Sequence, residues 1–295
     1  MICSALIVVT ACAVSYGVAQ TPASGSAITF APLVQWKNAV LSGDRAGLTS
    51  LYSTAPAAKV TVPPAESTPD ADIDFWTGLK ARSIDVDILQ NGSPQPGVQV
   101  VRFQAEIQSG TPPENETLYV NEGQVWQQQG GEWRLVVVQR TNAAHLRQPV
   151  SQNKNIYPAD ANALVEIKQA EEKAGQEHKR VLLVFGANWC YDCHVLDLAF
   201  QRPDFAAAMA GYEVVHVDIG PDGKKNSDLA KQFQVPLDKG VPALAVADSA
   251  GKVLVSQKNG EFENARAMTP QALLEFLNKW KPEAPVGGSP VGNRL

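Results

Sequence analysis

The chain has 295 residues, 44% of them hydrophobic and 19% charged, with a formal net charge of −5. That composition excludes a wholly disordered chain, and the length allows two ordinary domains, each with a core of its own. The acidic balance offers no basic stripe to neutralise phosphates, which argues against nucleic acid as a partner.

From Ile2 to Val18 the sequence is almost uncharged and rich in Ala, Val and Ile, and Gly17 and Ala19 suit a signal-peptidase site. Residues 1–19 therefore read as a signal peptide, which implies export. No Lys or Arg precedes the apolar run. Two alternatives stay open: Val9-Thr-Ala-Cys12 resembles a lipoprotein cleavage box, and the run is compatible with a short membrane anchor. Cys3 and Cys12 would leave with the signal, so the mature chain keeps only Cys190 and Cys193. A pair three residues apart closes almost no loop and stabilises little, so chemistry is the better reason for it.

Leu33, Trp36 and Val40 fall at helical spacing and Ser42-Gly43 ends that helix. Asp44 is a plausible N-cap for a second helix carrying Leu48, Leu51 and Tyr52, and Asp72 to Ala81 reads as a third. Lys59 to Val62 reads as a short strand and Pro63 to Asp70 as a loop. The period then changes to two. Ser83 to Leu89 alternates as a half-buried strand, Asn91-Gly92 and Pro94 to Gly97 form the turn region, and Val98 to Ile107 is the next strand. In it Val101, Phe103, Ala105 and Ile107 share one side, with Val100, Arg102, Gln104 and Glu106 on the other. Thr117 to Gln128 and Glu132 to Arg140 make a hairpin about Gly130-Gly131.

Helices followed by an antiparallel meander indicate α+β. This order, with Trp36-Lys-Asn-Ala-Val-Leu-Ser-Gly-Asp44 and Gly131-Glu-Trp-Arg-Leu-Val-Val-Val-Gln139, resembles the cone-shaped superfamily of nuclear transport factor two and ketosteroid isomerase over residues 30–142. The resemblance implies a cone fold, an apolar pocket in many members, and homodimerisation through the outer face of the sheet. A catalytic carboxylate in this domain would be sought among Asp72, Asp74, Asp85 and Asp87, although alternating Asp on a strand ordinarily marks the solvated face.

Residues 143–158 are polar, carry two prolines, and read as an interdomain linker. Asp160 is expected to cap an amphipathic helix with Leu164, Ile167, Ala170 and Ala174 inward. Val181 to Phe185 is a buried strand leading through Gly186 into Trp189-Cys190-Tyr-Asp-Cys193-His194. That places Cys190 at a helix N-terminus, where free N–H groups and the helix dipole favour the thiolate. Cys193 lies within one turn, close enough to close a disulfide. Tyr212 to Asp218 follows as a strand, Lys224 to Phe233 as a helix, and Ala243 to Ala247 and Lys252 to Ser256 as strands. Thr269-Pro270 opens a last helix that ends near Trp280, and the Pro- and Gly-rich tail 282–295 reads as disordered.

Trp189-Cys-x-x-Cys193 after a strand, Gly240-Val241-Pro242 before a later strand, and the turn at Asp248 to Gly251 resemble the thioredoxin fold over residues 159–281. Gly-Ala-Asn-Trp-Cys-x-Asp-Cys-His is similar to bacterial envelope thioredoxin-like domains, including the C-terminal domain of the transmembrane thiol reductant carrier. The resemblance implies an α/β thioredoxin fold and a thiol–disulfide oxidoreductase of the bacterial periplasm. It makes Cys190 the attacking thiolate and Cys193 the resolving thiol. Trp189 and Val241, beside a cis Pro242, would meet the extended chain of a protein dithiol or disulfide substrate. Asp192 and His194 would tune the thiolate in opposite senses. No cofactor or metal beyond the disulfide is implied, and an electron donor or acceptor must exist. Two family features are missing: Val184 stands where a buried Asp would transfer protons, and Leu198 where a proline would kink the helix.

Three other readings remain. Cys190-Tyr-Asp-Cys193-His194 satisfies C-x-x-C-H, the attachment motif of c-type haem with His194 as axial ligand. The two cysteines with His178 or His216 are a conceivable metal site. A non-catalytic scaffold for a ligand or partner would carry the pair as a remnant.

Overall fold

The computed structural model describes residues 28–110, 115–151 and 153–283. The expected signal at 1–19, its two alternatives, and the tail from 284 lie outside those residues. Among the described residues no helix is long and apolar enough to cross a membrane.

Three helices come first: α1 (Ala31–Ser42), α2 (Arg45–Leu51) and α3 (Pro69–Gly78). Helix α1 has Pro32 in its first turn, where a missing N–H costs nothing, and stops at Gly43, whose φ of 63° is a left-handed geometry that a Cβ disfavours. Asp44 and Thr68 cap α2 and α3 by accepting the N–H of Gly47 at 2.8 Å and of Ala71 at 3.2 Å. The helices pack Leu33, Trp36, Leu48, Ile73 and Trp76 into one core with a six-stranded sheet. Its strands are β1 (Lys59–Val62), β2 (Ala65–Ser67), β3 (Ser83–Gln95), β4 (Val98–Ser109), β5 (Glu116–Gln129) and β6 (Glu132–Arg140). They lie in the order β2-β1-β6-β5-β4-β3, antiparallel except where β1 runs parallel to β6. Val101, Phe103, Ala105 and Ile107 of β4 face the core, as their alternation requires.

Three local expectations change. The expected loop at 63–70 contains β2, which pairs Ser67 with Val60. Strand β3 runs on through Asn91-Gly92, because those residues pair with Val101 and Val100 and the ladder absorbs the irregularity as shifts in register. Gln104 is buried although it shares the polar side of β4 with Arg102 and Glu106, since its Nε2 donates to the Gln148 carbonyl at 2.7 Å.

The core of this domain is polar in one place. Asp72 is buried, pairs with the Arg140 guanidinium, and accepts from Tyr52 Oη at 2.6 Å. Glu122 accepts from Trp76 Nε1 at 3.2 Å and from Gln124 Nε2 at 2.6 Å. Burial, then the Asp72 charge, push its carboxyl well above the usual carboxylate range. Asp74 instead pairs with Arg45 at the surface, Asp87 with Arg147 at 2.7 Å, and Asp85 is exposed. The four candidate carboxylates thus have separate environments, and only Asp72 departs from a solvated face.

The C-terminal half is α4 (Ala163–Glu177), β7 (Arg180–Gly186), α5 (Tyr191–Phe200), α6 (Ala206–Met209), β8 (Tyr212–Asp218), α7 (Ser227–Gln232), β9 (Ala243–Ala247), β10 (Val253–Ser256) and α8 (Pro270–Trp280). The sheet order is β10-β9-β7-β8, with β7 parallel to β8 and antiparallel to β9. Central β7 is buried on both faces. Val181, Leu183 and Phe185 join the core under α4 and α7, and Leu182 and Val184 join the core under α5 and α8. Asn162, not Asp160, caps α4, by accepting the Val165 N–H at 3.3 Å. Its buried face is accordingly Ala163, Ile167, Ala170 and Ala174, and Leu164 is exposed. Helix α7 starts only at Ser227, because Lys225 Nζ and Asn226 Nδ2 both bind Asp218 and hold a turn there.

The described residues of 143–158 form no helix or strand but several of them are well packed. Ala144 exchanges two backbone hydrogen bonds with Tyr119, at 2.8 and 3.0 Å. Two residues later Leu146, 0% exposed, sits in the C-terminal core against the residues of α5 and α8. Ile156 and Tyr157 then pack on the two cysteines.

Candidate active site

Cys190 is the N-cap of α5, and its sulfur accepts the Cys193 N–H at 3.1 Å. The sulfur that caps the helix therefore rests on the dipole's positive end, where a thiolate gains most. Cys190 and Cys193 are joined in a disulfide across a Cα–Cα distance of 5.3 Å. Cys190 is 5% and Cys193 1% exposed, so the pair has a shallow side and a deep side.

Around Cys190 the expected supporting residues assemble. The Val241–Pro242 peptide is cis and the Val241 carbonyl oxygen lies 3.4 Å from Cys190 Sγ. Trp189 is 52% exposed, with its indole Nε1 donating to the Gly220 carbonyl at 3.0 Å. It presents a flat apolar surface beside the pair, fixed at one edge.

Asp192 is buried rather than solvated. The backbone N–H of Arg266 donates to its Oδ1 at 2.9 Å, and the Arg266 guanidinium binds both carboxylate oxygens. The same guanidinium lies 4.8 Å from the centre of the Tyr191 ring. The charge expected to oppose the thiolate is thus offset by a cation from the other end of the domain. His194 is buried too, its Nε2 2.9 Å from the Asn188 carbonyl oxygen. That contact occupies a ring nitrogen needed for an axial bond, and with the ring buried at the start of α5 His194 does not fit the role of an axial haem ligand. His178 caps the C-terminus of α4 at the surface, and no group of three or more His, Cys, Asp or Glu able to hold a metal ion occurs among the described residues.

On the deep side, Val184 packs in the apolar core and supplies no proton carrier. Other groups stand there. Asn188 accepts the Tyr157 N–H at 3.0 Å and donates to the Tyr157 carbonyl at 2.7 Å, clamping that residue to the loop before Cys190. The Tyr157 ring stands edge-on to His216 at 5.3 Å, and His216 Nε2 lies 3.5 Å from Asp197 Oδ1. Burial raises the Asp197 carboxyl, against the pull of His216 and His194, and lowers the His216 imidazole, against the pull of Asp197. Gly186 is required here: a methyl on it would run into the Tyr157 hydroxyl and come within 2.6 Å of Cys193 Sγ.

Sequence reading missed Tyr157, Asn188, Asp197 and Arg266. The only signal for Tyr157 was Ile156-Tyr157, an apolar pair inside a polar stretch. Arg266 carried none, because 74 residues separate it from Asp192. Beside this site a cavity of about 790 Å³ is lined by Val100, Arg102 and Val125 of the outer sheet face and by Tyr191 and Arg266.

Comparison with known proteins finds similarity to a known family in the C-terminal region. Residues 162–249 match the model of the thioredoxin-like family. The chain is 31% identical over 110 residues to the thiol:disulfide interchange protein DsbD 2 of Pseudomonas aeruginosa, an alignment covering 37% of this chain and 17% of that protein. Among solved structures, a disulphide isomerase from Xylella fastidiosa Temecula1 is 38% identical, covering 44% of this chain and 98% of its own, with a TM-score of 0.41. An NTF2-like protein of unknown function from Rhodospirillum rubrum is 20% identical, covering 38% of this chain and 94% of its own, with a TM-score of 0.32. The chain thus joins an N-terminal α+β domain to a thioredoxin-like α/β domain.

Proposed function

We propose that the chain is a thiol–disulfide oxidoreductase that exchanges disulfides with protein substrates in the bacterial cell envelope through Cys190 and Cys193. The observation that carries this reading is the closed pair at the start of α5, with the Cys190 sulfur in the helix cap. Support also comes from the thioredoxin-like family match and from the similarity to the Pseudomonas thiol:disulfide interchange protein, of which the chain spans only a small part.

In the reducing direction, the Cys190 thiolate attacks a substrate disulfide, one substrate sulfur leaves with the electron pair, and a mixed disulfide forms. The Cys193 thiolate then attacks Cys190 Sγ, the internal disulfide forms, and the second substrate sulfur departs. The oxidising direction runs the same bonds backwards. Trp189, Val241 and Pro242 form the surface met by the substrate chain, with the Val241 backbone as its hydrogen-bonding edge. A redox partner of unassigned identity resets the pair. Export rests on the apolar stretch 1–19.

Dithiol-dependent reduction of insulin by the purified protein, lost in Cys190→Ser, is the expected result. Wild-type protein inert towards insulin and towards small aromatic disulfides would overturn the reading in favour of a binding scaffold. The reduction potential of the pair then fixes the direction of electron flow, since each 29.6 mV is tenfold in the equilibrium constant of a two-electron couple.

A further inference from the structure

The resolving cysteine has to become a thiolate in a place with little water and, with Val184 on β7, without the carboxylate that the strand might have supplied. One polar side-chain atom does reach the space under Cys193. Tyr157 is buried, and among the described residues its hydroxyl has no hydrogen-bond partner while the disulfide is closed. Only the bare Cα of Gly186 leaves room for that hydroxyl and for Cys193 Sγ together. Its backbone is pinned on both sides by the Asn188 amide, so the phenol is held in place rather than free to turn away.

We propose that the Tyr157 hydroxyl donates a hydrogen bond to the Cys193 sulfur when the pair is open, and that this bond stabilises the resolving thiolate. The inference rests on the thiol-exchange reading above and adds a residue to it. A buried hydroxyl without a partner is costly, and a thiolate arriving beside it is a better acceptor than a disulfide sulfur. Opening the disulfide thus lets the phenol pair. In the resolving step Cys193 gives its proton to solvent and the thiolate attacks Cys190 Sγ. The Cys190–substrate bond breaks, and the electron pair leaves with the substrate sulfur. Tyr157 keeps its own proton throughout. Burial, followed by the charges of Asp197 and Asp218, raises the phenol far above its ordinary range, so at neutral pH it is always a donor.

Other titratable groups stand near it: Asp197 and, beside that carboxylate, His194 on α5, and His216 and Asp218 on β8. All are unaltered by Tyr157→Phe, which removes one oxygen and keeps the ring against His216. The test is a single-turnover measurement. The mixed disulfide of Cys190 with thionitrobenzoate is formed at low pH, and release of thionitrobenzoate by Cys193 is followed optically from pH 5 to 10. For Tyr157→Phe the release at pH 7 is expected to slow about tenfold, with the pH midpoint for release moved upward and the rates converging at high pH. A merely structural role would slow release equally at every pH or leave it alone. Overlapping profiles, or a uniform drop, overturn the proposal. A wild-type protein that fails to form or resolve the mixed disulfide overturns the exchange reading and this inference together, so the two failures are distinct.

Discussion

Leu146 tests whether the connecting segment belongs energetically to the domain that follows it. It is 0% exposed and packs with Leu182, Val184, Val195, Leu196 and Phe205, although it precedes α4 in the chain. Leu146→Ala removes three carbons from a core that can collapse only in part, at a cost of about 3 kcal/mol. That penalty should fall on the thioredoxin-like domain alone. Hydrogen exchange followed by mass spectrometry resolves the two domains within one protein. Peptides covering β7 should exchange about a hundredfold faster in the variant, and peptides covering β4 at the wild-type rate. Leu146→Met, which conserves volume, should restore most of the protection. Unchanged protection in β7, or faster exchange confined to β4, would refute the reasoning and return the segment to the status of a passive tether.

Three further outcomes follow from buried charges. Arg266→Ala leaves the Asp192 carboxylate uncompensated in the first turn of α5, so the Cys190 thiolate is disfavoured; the potential should fall by about 20–30 mV against a glutathione or dithiothreitol couple, and an unchanged or higher value would contradict the assignment. Glu122 is raised in the fold relative to the unfolded chain, so the folded state holds the extra proton and stability declines as pH rises from the ordinary Glu range towards the raised value. The melting temperature should therefore fall as pH rises above the ordinary Glu range and do so less in Glu122→Gln, and equal slopes would show that Glu122 is not the group. Arg140→Leu strands the Asp72 carboxylate, at a cost of about 3–5 kcal/mol, enough to lower the melting temperature of the N-terminal domain by about 15 °C. Insulin reduction should persist at temperatures where that domain still folds, and a drop of only a degree or two would mean that Asp72 finds another partner.

The redox pair and its local frame were readable because everything they need is local: an apolar strand, a cysteine at the helix start, a second one turn later. Val241 and Pro242 were reached through the resemblance, not through periodicity. What sequence reading could not supply was the second layer. Asp192 looks like an exposed acid between two cysteines until Arg266 is brought onto it across the fold. Residues 143–158 look like a linker because polar residues and prolines dominate, and the few apolar side chains that dock them lack a period to announce it. Asp72 is similar: its position on α3 gave no sign that Arg140, at the end of β6, would close over it. In each case long-range packing overrode a correct local reading.

The position of Cys190 as the cap of its own helix links covalent state to secondary structure. Its sulfur holds the Cys193 N–H in the closed disulfide, would hold it more strongly as a thiolate, and must share it during a mixed disulfide. In the proposed exchange cycle the hydrogen bond that caps the first turn of α5 would therefore change strength from state to state, and the amide proton of Cys193 would experience each of them directly. Its chemical shift is a built-in gauge of which sulfur bond exists at any moment.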